Sequence, residues 1–246
     1  MLEYKSYKSE EIFYEFDDES DSETIQNNRV WKSYSEVYDL MDNLPFVRNL
    51  RKRHVTAMKA CKFALDGGCG TGLITRDLAL RRGRRVIGLD LNEDMLNQAA
   101  HRLRDFKNVK LYPGNVLVLP FDEHAFDGYV SNNVLHFVND SKKFFSEMIR
   151  VIKPGGILSI SAARPCCDMG ILVKATRRYF SHMDFDTSIM KKVNKMIDAN
   201  RFLLKNVKYM YEPQEVAKIL FADYGCSILY QGSAYLGQSF HVIAKK

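Results

Sequence analysis

Residues 63–73 read Phe63-Ala64-Leu65-Asp66-Gly67-Gly68-Cys69-Gly70-Thr71-Gly72-Leu73, an apolar run ending in a carboxylate and followed by four glycines within six residues. The pattern predicts a strand that turns tightly into a helix beginning near Leu73. Glycine is needed where the backbone takes positive φ, or where a ligand must approach with no Cβ in the way. An ordinary strand–helix turn requires no such density of it. Asp66 falls at the strand's end, the edge at which open α/β sheets bind ligands. The spacing Gly68-x-Gly70-x-Gly72 is one residue too short for the dinucleotide fingerprint, and no Gly-Lys-Ser/Thr follows as in a phosphate-binding loop. Eighteen residues past Gly72, the next strand, Arg85-Val86-Ile87-Gly88-Leu89, ends in Asp90, where a carboxylate can accept from ribose hydroxyls. The two features together point to an adenosyl ligand without a diphosphate.

Outward from this loop the chain alternates. Apolar, strand-like runs lie at 62–66, 85–89, 109–112, 126–131, 156–162, 226–231 and 238–244, with helical segments expected between the first five. Such alternation implies parallel strands joined by right-handed crossovers. Only Gly232 to Gly237 separate the last two runs, too few residues for a crossover helix, so those strands are expected to be antiparallel neighbours. The fold class expected is α/β: a three-layer Rossmann-like sandwich with a seven-stranded, mostly parallel sheet and an antiparallel C-terminal hairpin. Val30, Tyr34, Val37, Tyr38 and Met41 recur at helical spacing until Pro45, and a second, basic helix follows, so helices over 30–60 are expected to cap the domain. A segment of about 166–210 is too long for a simple loop and is expected to carry helices of its own.

The 246 residues carry a formal charge of +6, unevenly spread. Residues 1–23 hold nine acids against Lys5 and Lys8, a net of −7, which leaves +13 for the rest. Residues 1–24 are therefore expected to form an acidic, mobile arm, and 25–246 a single domain. No run approaches the roughly 18 apolar residues of a membrane span. The start, MLEYKSYKSEE, has neither the basic opening nor the apolar run of a secretory signal. Cys61, Cys69, Cys166, Cys167 and Cys226 are odd in number and show no CxxC spacing, so neither disulfides nor a metal site is expected. A reducing, cytoplasmic setting fits that usage.

The chain resembles the class I S-adenosylmethionine-dependent methyltransferases, in particular their small-molecule, ubiquinone-pathway-like group. Leu65-Asp66-Gly67-Gly68-Cys69-Gly70-Thr71-Gly72 is similar to that family's first motif, and Gly88-Leu89-Asp90-Leu91-Asn92-Glu93-Asp94-Met95-Leu96 to the motif whose acid binds ribose. Gly114-Asn115-Val116 resembles the segment flanking adenine, with Asn115 where Asp is more frequent. Phe126 to Phe137 resembles the fourth strand and its exit, and Arg150 to Leu158 the turn into the fifth strand. The match spans about 30–165 and 210–246, with five motifs in order. It implies S-adenosyl-L-methionine as cofactor, with S-adenosyl-L-homocysteine as product. It further implies a cofactor site of Asp66, Gly67, Gly68, Gly70, Gly72, Asp90, Leu91, Met95, Asn115, Val116 and Asn132, closed over by Tyr34 and Tyr38. In this family the 166–210 region usually forms a substrate lid.

Methyl transfer from a sulfonium is an in-line displacement with a neutral leaving group, so alignment of the nucleophile dominates. A base is needed only for a nucleophile that arrives protonated. His136, just beyond the fourth strand, is the candidate base, with packing of the cofactor loop as its equal alternative. Residues 171–210 carry nine Lys/Arg against three Asp, and Arg177, Arg178, Arg201 and His182 are the candidates for meeting an anionic substrate. The function expected is methyl transfer to an O, N or C nucleophile of a small metabolite, by a monomer or homodimer. Two rivals remain at this point. The basic runs Arg48–Lys62 and Arg81-Arg82-Gly83-Arg84-Arg85 suggest an RNA or protein methyltransferase, although Ser131-Asn132-Asn133-Val134 does not match a base-amine methylation motif and nucleic acid is not the expected partner. An inactive cofactor-binding regulator is the other.

Overall fold

The computed structural model describes residues 30–182, 187–205, 207 and 209–246. The acidic arm expected at 1–24 lies outside these described residues. Seven strands, β1 (Phe63–Gly67), β2 (Arg85–Asp90), β3 (Val109–Pro113), β4 (Phe126–Asn132), β5 (Ile152–Ala163), β6 (Ser227–Ala234) and β7 (Ser239–Lys245), form one sheet in the order β3-β2-β1-β4-β5-β7-β6. The first five pair in parallel, and β7 runs antiparallel to both β5 and β6. Strand β1 is buried along its whole length because helices cover both its faces, which accounts for an uninterrupted apolar run instead of alternation. The strand order reverses at β1, between β2 and β4, and the glycine loop leaves the sheet at this switch point.

The helices are α1 (Pro45–Ala57), α2 (Leu73–Ala79), α3 (Glu93–Leu103), α4 (Ser141–Val151), α5 (Met169–Ser181), α6 (Thr187–Lys205) and α7 (Pro213–Ala222), preceded by a helical turn at 30–35 and a 3₁₀ helix at Tyr38–Asn43. Their starts follow local chemistry. Pro45 opens α1, where its missing N–H costs nothing. Asn92 and Asp140 accept backbone N–H groups at the starts of α3 and α4, and Glu212 with Glu215 forms a capping box on α7. One expectation fails. Between β3 and β4 there is no helix but an irregular link at 114–125. Gly114 and Pro120 interrupt it, and Asn115 turns its Oδ1 back to accept the N–H of Leu117 at 2.9 Å, a turn geometry that competes with helix.

The main core lies between the sheet and α4 and α7, where Phe126, Tyr129, Phe144, Phe145, Met148, Val216, Leu220 and Phe240 pack together. On the other face Met58, Cys61, Ile74, Leu78 and Val130 pack beneath α1 and α2. The 166–210 segment contributes α5 and α6, which pack on α1 through Val173, Phe180, Val193 and Ile197 against Leu44, Val47 and Leu50. The basic run at 81–85 is partly structural. Arg84 is buried and donates to the carbonyls of Cys61 and Leu78, at 2.9 and 3.2 Å, and to that of Met58. Arg85 lies over the Phe63 ring at 4.4 Å.

Phe144 is wholly buried in the main core. Phe144→Ala is expected to destabilise the fold by about 3–5 kcal/mol, read as a shift in the urea midpoint.

Candidate active site

The glycine loop is held by two backbone bonds, from Gly68 N and Cys69 N to the Leu89 carbonyl at 2.7 and 3.0 Å. Its glycines do different work. A Cβ on Gly68 would meet the Val134 side chain at 2.2 Å, and one on Gly72 would meet Leu103 and Ala99 of α3 at 2.9 and 3.1 Å. Those two positions are closed by packing. Gly70 has φ +54° and nothing within 4 Å of where a Cβ would stand. Its backbone thus presents an open face, beside which a ligand can lie. Gly67 lies over the Tyr129 hydroxyl, 2.2 Å from where a Cβ would stand.

Two carboxyls flank this face. Asp66 is 1% exposed at the end of β1, and its Oδ2 accepts from the Thr75 hydroxyl at 2.6 Å. Burial pushes its pKa up to about 7, with the neighbouring Asp90 adding to the rise. Asp90 accepts from Gly70 N at 2.7 Å and from Asn92 N at 2.9 Å. Burial raises its pKa too, and those backbone donors oppose the rise. Next along the sheet, Val116 is buried, Asn115 is half-buried and Leu91 is exposed. Met95 is buried in a cluster with Tyr34, Val37 and the α6 residues Met196, Ala199 and Leu203.

An aromatic cap covers the loop. Tyr34 and Tyr38 meet edge to face with centroids 5.1 Å apart, and Trp31 packs on Phe137 at 5.4 Å. The Tyr34 hydroxyl donates to Asn200 Oδ1 of α6 at 2.8 Å, tying the cap to that helix. Asp39 accepts from the Thr71 hydroxyl at 2.8 Å and pairs with Arg102, tying the cap to the loop. Beneath it lies a cavity of about 30 Å³ walled by Tyr38, Arg51, Asp66, Gly68, Asn132 and Tyr235 among others. That is too small for the methionine part of an adenosyl ligand, while the face at Gly70 beside it is open.

The remaining candidates from the sequence are scattered. His136 is buried, with its Nδ1 accepting the Ala163 N–H at 3.2 Å and its ring 4.2 Å from that of Phe137. Burial lowers its pKa to about 3. With Nδ1 occupied, the neutral ring carries its proton on Nε2 and has no free lone pair to take another. The geometry therefore favours packing over base catalysis. Arg177, Arg178 and His182 are exposed, and His182 Nδ1 lies 2.6 Å from the Arg178 carbonyl. Arg201 lines a separate open cavity of about 690 Å³ with Cys167, Asp168 and Lys205. Cys166 is exposed and Cys167 half-buried. Arg51 and Tyr235 were not singled out from sequence, although both wall the cavity beside Asp66. Arg51 sits in a basic helix and Tyr235 in a hairpin turn, and nothing local marks either as part of a site 15 or 169 residues away in sequence.

Residues 65–160 match the family described as methyltransferase domain. The chain is 30% identical over 211 residues to the ubiquinone/menaquinone biosynthesis C-methyltransferase UbiE of Yersinia pestis, covering 80% of each protein. The chain belongs to the class I S-adenosylmethionine-dependent methyltransferases, in their ubiquinone-pathway-like group. A demethylmenaquinone methyltransferase of Desulfitobacterium hafniense is 31% identical over 170 residues, 65% of this chain and 66% of that one, just under two thirds. Among solved structures, a Burkholderia thailandensis 1,6-didemethyltoxoflavin-N1-methyltransferase superposes with a TM-score of 0.63 at 16% identity, covering 91% of this chain and 88% of that one. It supports the fold. For a methyltransferase of this family the open face at Gly70, between a buried acid and an acid at a strand end, fits S-adenosylmethionine. That molecule is the enzyme's cofactor. No helix among the described residues is long and apolar enough to cross a membrane.

Because Asp66 in the folded chain keeps its proton up to about pH 7 against an ordinary 3.8, the folded state holds an extra proton across that window. Stability therefore falls as pH rises through it. Urea unfolding at about pH 5 and about pH 8 is expected to show the wild type losing on the order of 2–4 kcal/mol more than Asp66→Asn.

Proposed function

We propose that this chain transfers the methyl group of S-adenosylmethionine, by in-line displacement, to a nucleophile of a small metabolite. Among O, N and C, the relatives named as C-methyltransferases support carbon, in a reduced quinone-like ring. The observation that carries the reading is the open backbone at Gly70, framed by Asp66 and Asp90. When bound, the cofactor supplies a methyl group on a positively charged sulfur. The chain's own residues bind and align. Asp90 receives the ribose hydroxyls, in place of the Gly70 N–H it now accepts. Leu91, Met95, Asn115 and Val116 flank the adenine. Gly67 and Gly68 carry the turn beneath, and Asp66 meets the cationic amino-acid end. Tyr34 and Tyr38 close above it, where an aromatic face attracts a cation. The cap they belong to excludes water and holds the acceptor in line, and such alignment is worth roughly 7–11 kcal/mol at best.

No side-chain base is assigned. His136 has no free lone pair, so the acceptor is expected to arrive already nucleophilic, as a phenolate or its ring carbon. Arg201, which lines a cavity, is retained as a contact for an anionic acceptor. Arg177, Arg178 and His182 are assigned no such contact.

The test is transfer of labelled methyl from S-adenosylmethionine to reduced demethylmenaquinone, compared with simple phenols, amines, bulk RNA and protein. Label on a ring carbon is the expected result. Label confined to RNA or protein would overturn the reading. Cofactor affinity by calorimetry is expected to fall roughly tenfold or more in Asp90→Ala. In the wild type it should tighten as pH rises from about 5.5 to about 7.5, because a cation selects the ionised form of Asp66, and this trend should be absent in Asp66→Asn.

A further inference from the structure

Beneath α1, five side chains form an unbroken polar chain, four of them closed to water. His241 Nε2 lies 2.9 Å from Ser159 Oγ, Ser159 Oγ 2.8 Å from His54 Nδ1, and His54 Nε2 3.0 Å from Ser161 Oγ. Ser161 then donates to Asn132 Oδ1 at 2.8 Å. Both histidines and both serines are buried, and the desolvation keeps both rings neutral. The methyl-transfer chemistry above uses none of the four.

The chain has one direction. An amide oxygen only accepts, so the single Ser161 proton is spent on Asn132, and Ser161 must accept from His54 Nε2–H. A neutral His54 then has a bare Nδ1, which accepts the Ser159 proton, and Ser159 in turn accepts from His241 Nε2–H. The chain ends at His241 Nδ1, a buried atom with no partner. In this sense the orphan is a lone pair. Were the chain reversed, with the Asn132 amide turned round, the orphan would be a buried N–H, which folded proteins tolerate less well. Asn132 is thereby held with its NH₂ turned away from Ser161.

Asn132 and Tyr235 wall the same cavity. Asn133 Nδ2 donates to the Tyr235 phenol oxygen at 3.3 Å, and Asn132 stands beside that phenol on the cavity wall. With its oxygen accepting, the phenol directs its own proton elsewhere, and the cavity is what it faces. The turn that brings it there is strained: Tyr235 and Leu236 take φ of 46° and 58° without being glycine, and its donor Asn133, at the exit of β4, takes 61°. Such strain collects where a site needs a side chain in one place. The cavity's charges then divide. Asp66 suits the ammonium of an amino acid. Arg51, the other charged group on the wall, is already paired with Asp42 and with Asp77, the latter at 2.7 Å.

We propose that Tyr235 is a cofactor-binding residue whose hydroxyl donates to the carboxylate of the cofactor's amino-acid end, and that His54 positions it through Ser161 and Asn132. The proposal rests on the reading that this cavity receives the methionine part of S-adenosylmethionine. Removing a donor to a charged oxygen weakens binding only of a ligand that has that oxygen.

The experiment is calorimetry with S-adenosylmethionine and with its decarboxylated form, on wild type, Tyr235→Phe, His54→Leu and His54→Gln, each checked by thermal melting. Tyr235→Phe is expected to bind S-adenosylmethionine roughly tenfold more weakly while binding the decarboxylated form within about twofold of wild type. His54→Leu should lose the same discrimination, and His54→Gln, which can still offer an N–H to Ser161, should restore most of it. A merely structural His54 would lower the melting temperature and leave the discrimination intact. If folded Tyr235→Phe discriminates as the wild type does, the assignment is wrong, whatever His54→Leu does. If the wild type binds neither molecule, the cofactor reading fails first and takes this one with it.

Discussion

A carboxyl group at 1% exposure at the end of the central strand is an unfavourable thing to build, and the site is arranged around keeping Asp66 there. One hydroxyl, from Thr75 in the first turn of α2, is its hydrogen-bond partner. That contact requires α2 to start directly after the loop, which Gly72 allows by letting Ala99 and Leu103 of α3 come close. The loop in turn leans on the Leu89 carbonyl of β2, so β2 must end level with β1. Asp90 then falls where Gly70 can reach it. The unfavourable group thus fixes the register of two strands, the start of one helix and the approach of another.

The cap is the counterpart of this arrangement. It is held to the loop by Asp39 and to α6 by Tyr34, both polar contacts at the edge of an aromatic cluster. Polar ties of this kind are individually modest, near 1 kcal/mol each. Besides these ties the cap buries Tyr34 and Val37 against Met95 and α6, so opening for the cofactor means parting that apolar contact as well. The main core, with its fully buried aromatics, is a separate cluster packed between the sheet and α4 and α7.

The sheet was legible because its causes are local. Unbroken apolar runs mark strands covered on both faces, and a link too short for a crossover helix between the last two dictated their antiparallel pairing. The loop and its two acids were legible for the same reason, since glycine spacing and a strand-end acid are visible in a short window. The missing helix between β3 and β4 was misread because alternation outweighed Gly114, Pro120 and the Asn115 turn. His54 and Arg84 were hidden by their neighbours: each sits in a basic run that reads as solvated, yet each is buried with polar atoms engaged far along the chain, Arg84 with Cys61 and His54 with Ser161. Tyr235 was hidden because its place depends on the pairing of β6 with β7 and on two left-handed residues that no composition rule selects.

The central claim is that the face between Asp66 and Asp90 is the cofactor site. Its most direct test is a crystal structure of the chain with S-adenosylhomocysteine. The account predicts the ribose hydroxyls on the Asp90 carboxylate, the bond from Gly70 N displaced, and the amino-acid end between Asp66 and Tyr235. A ligand bound elsewhere, with Asp90 still holding the Gly70 N–H, would contradict it.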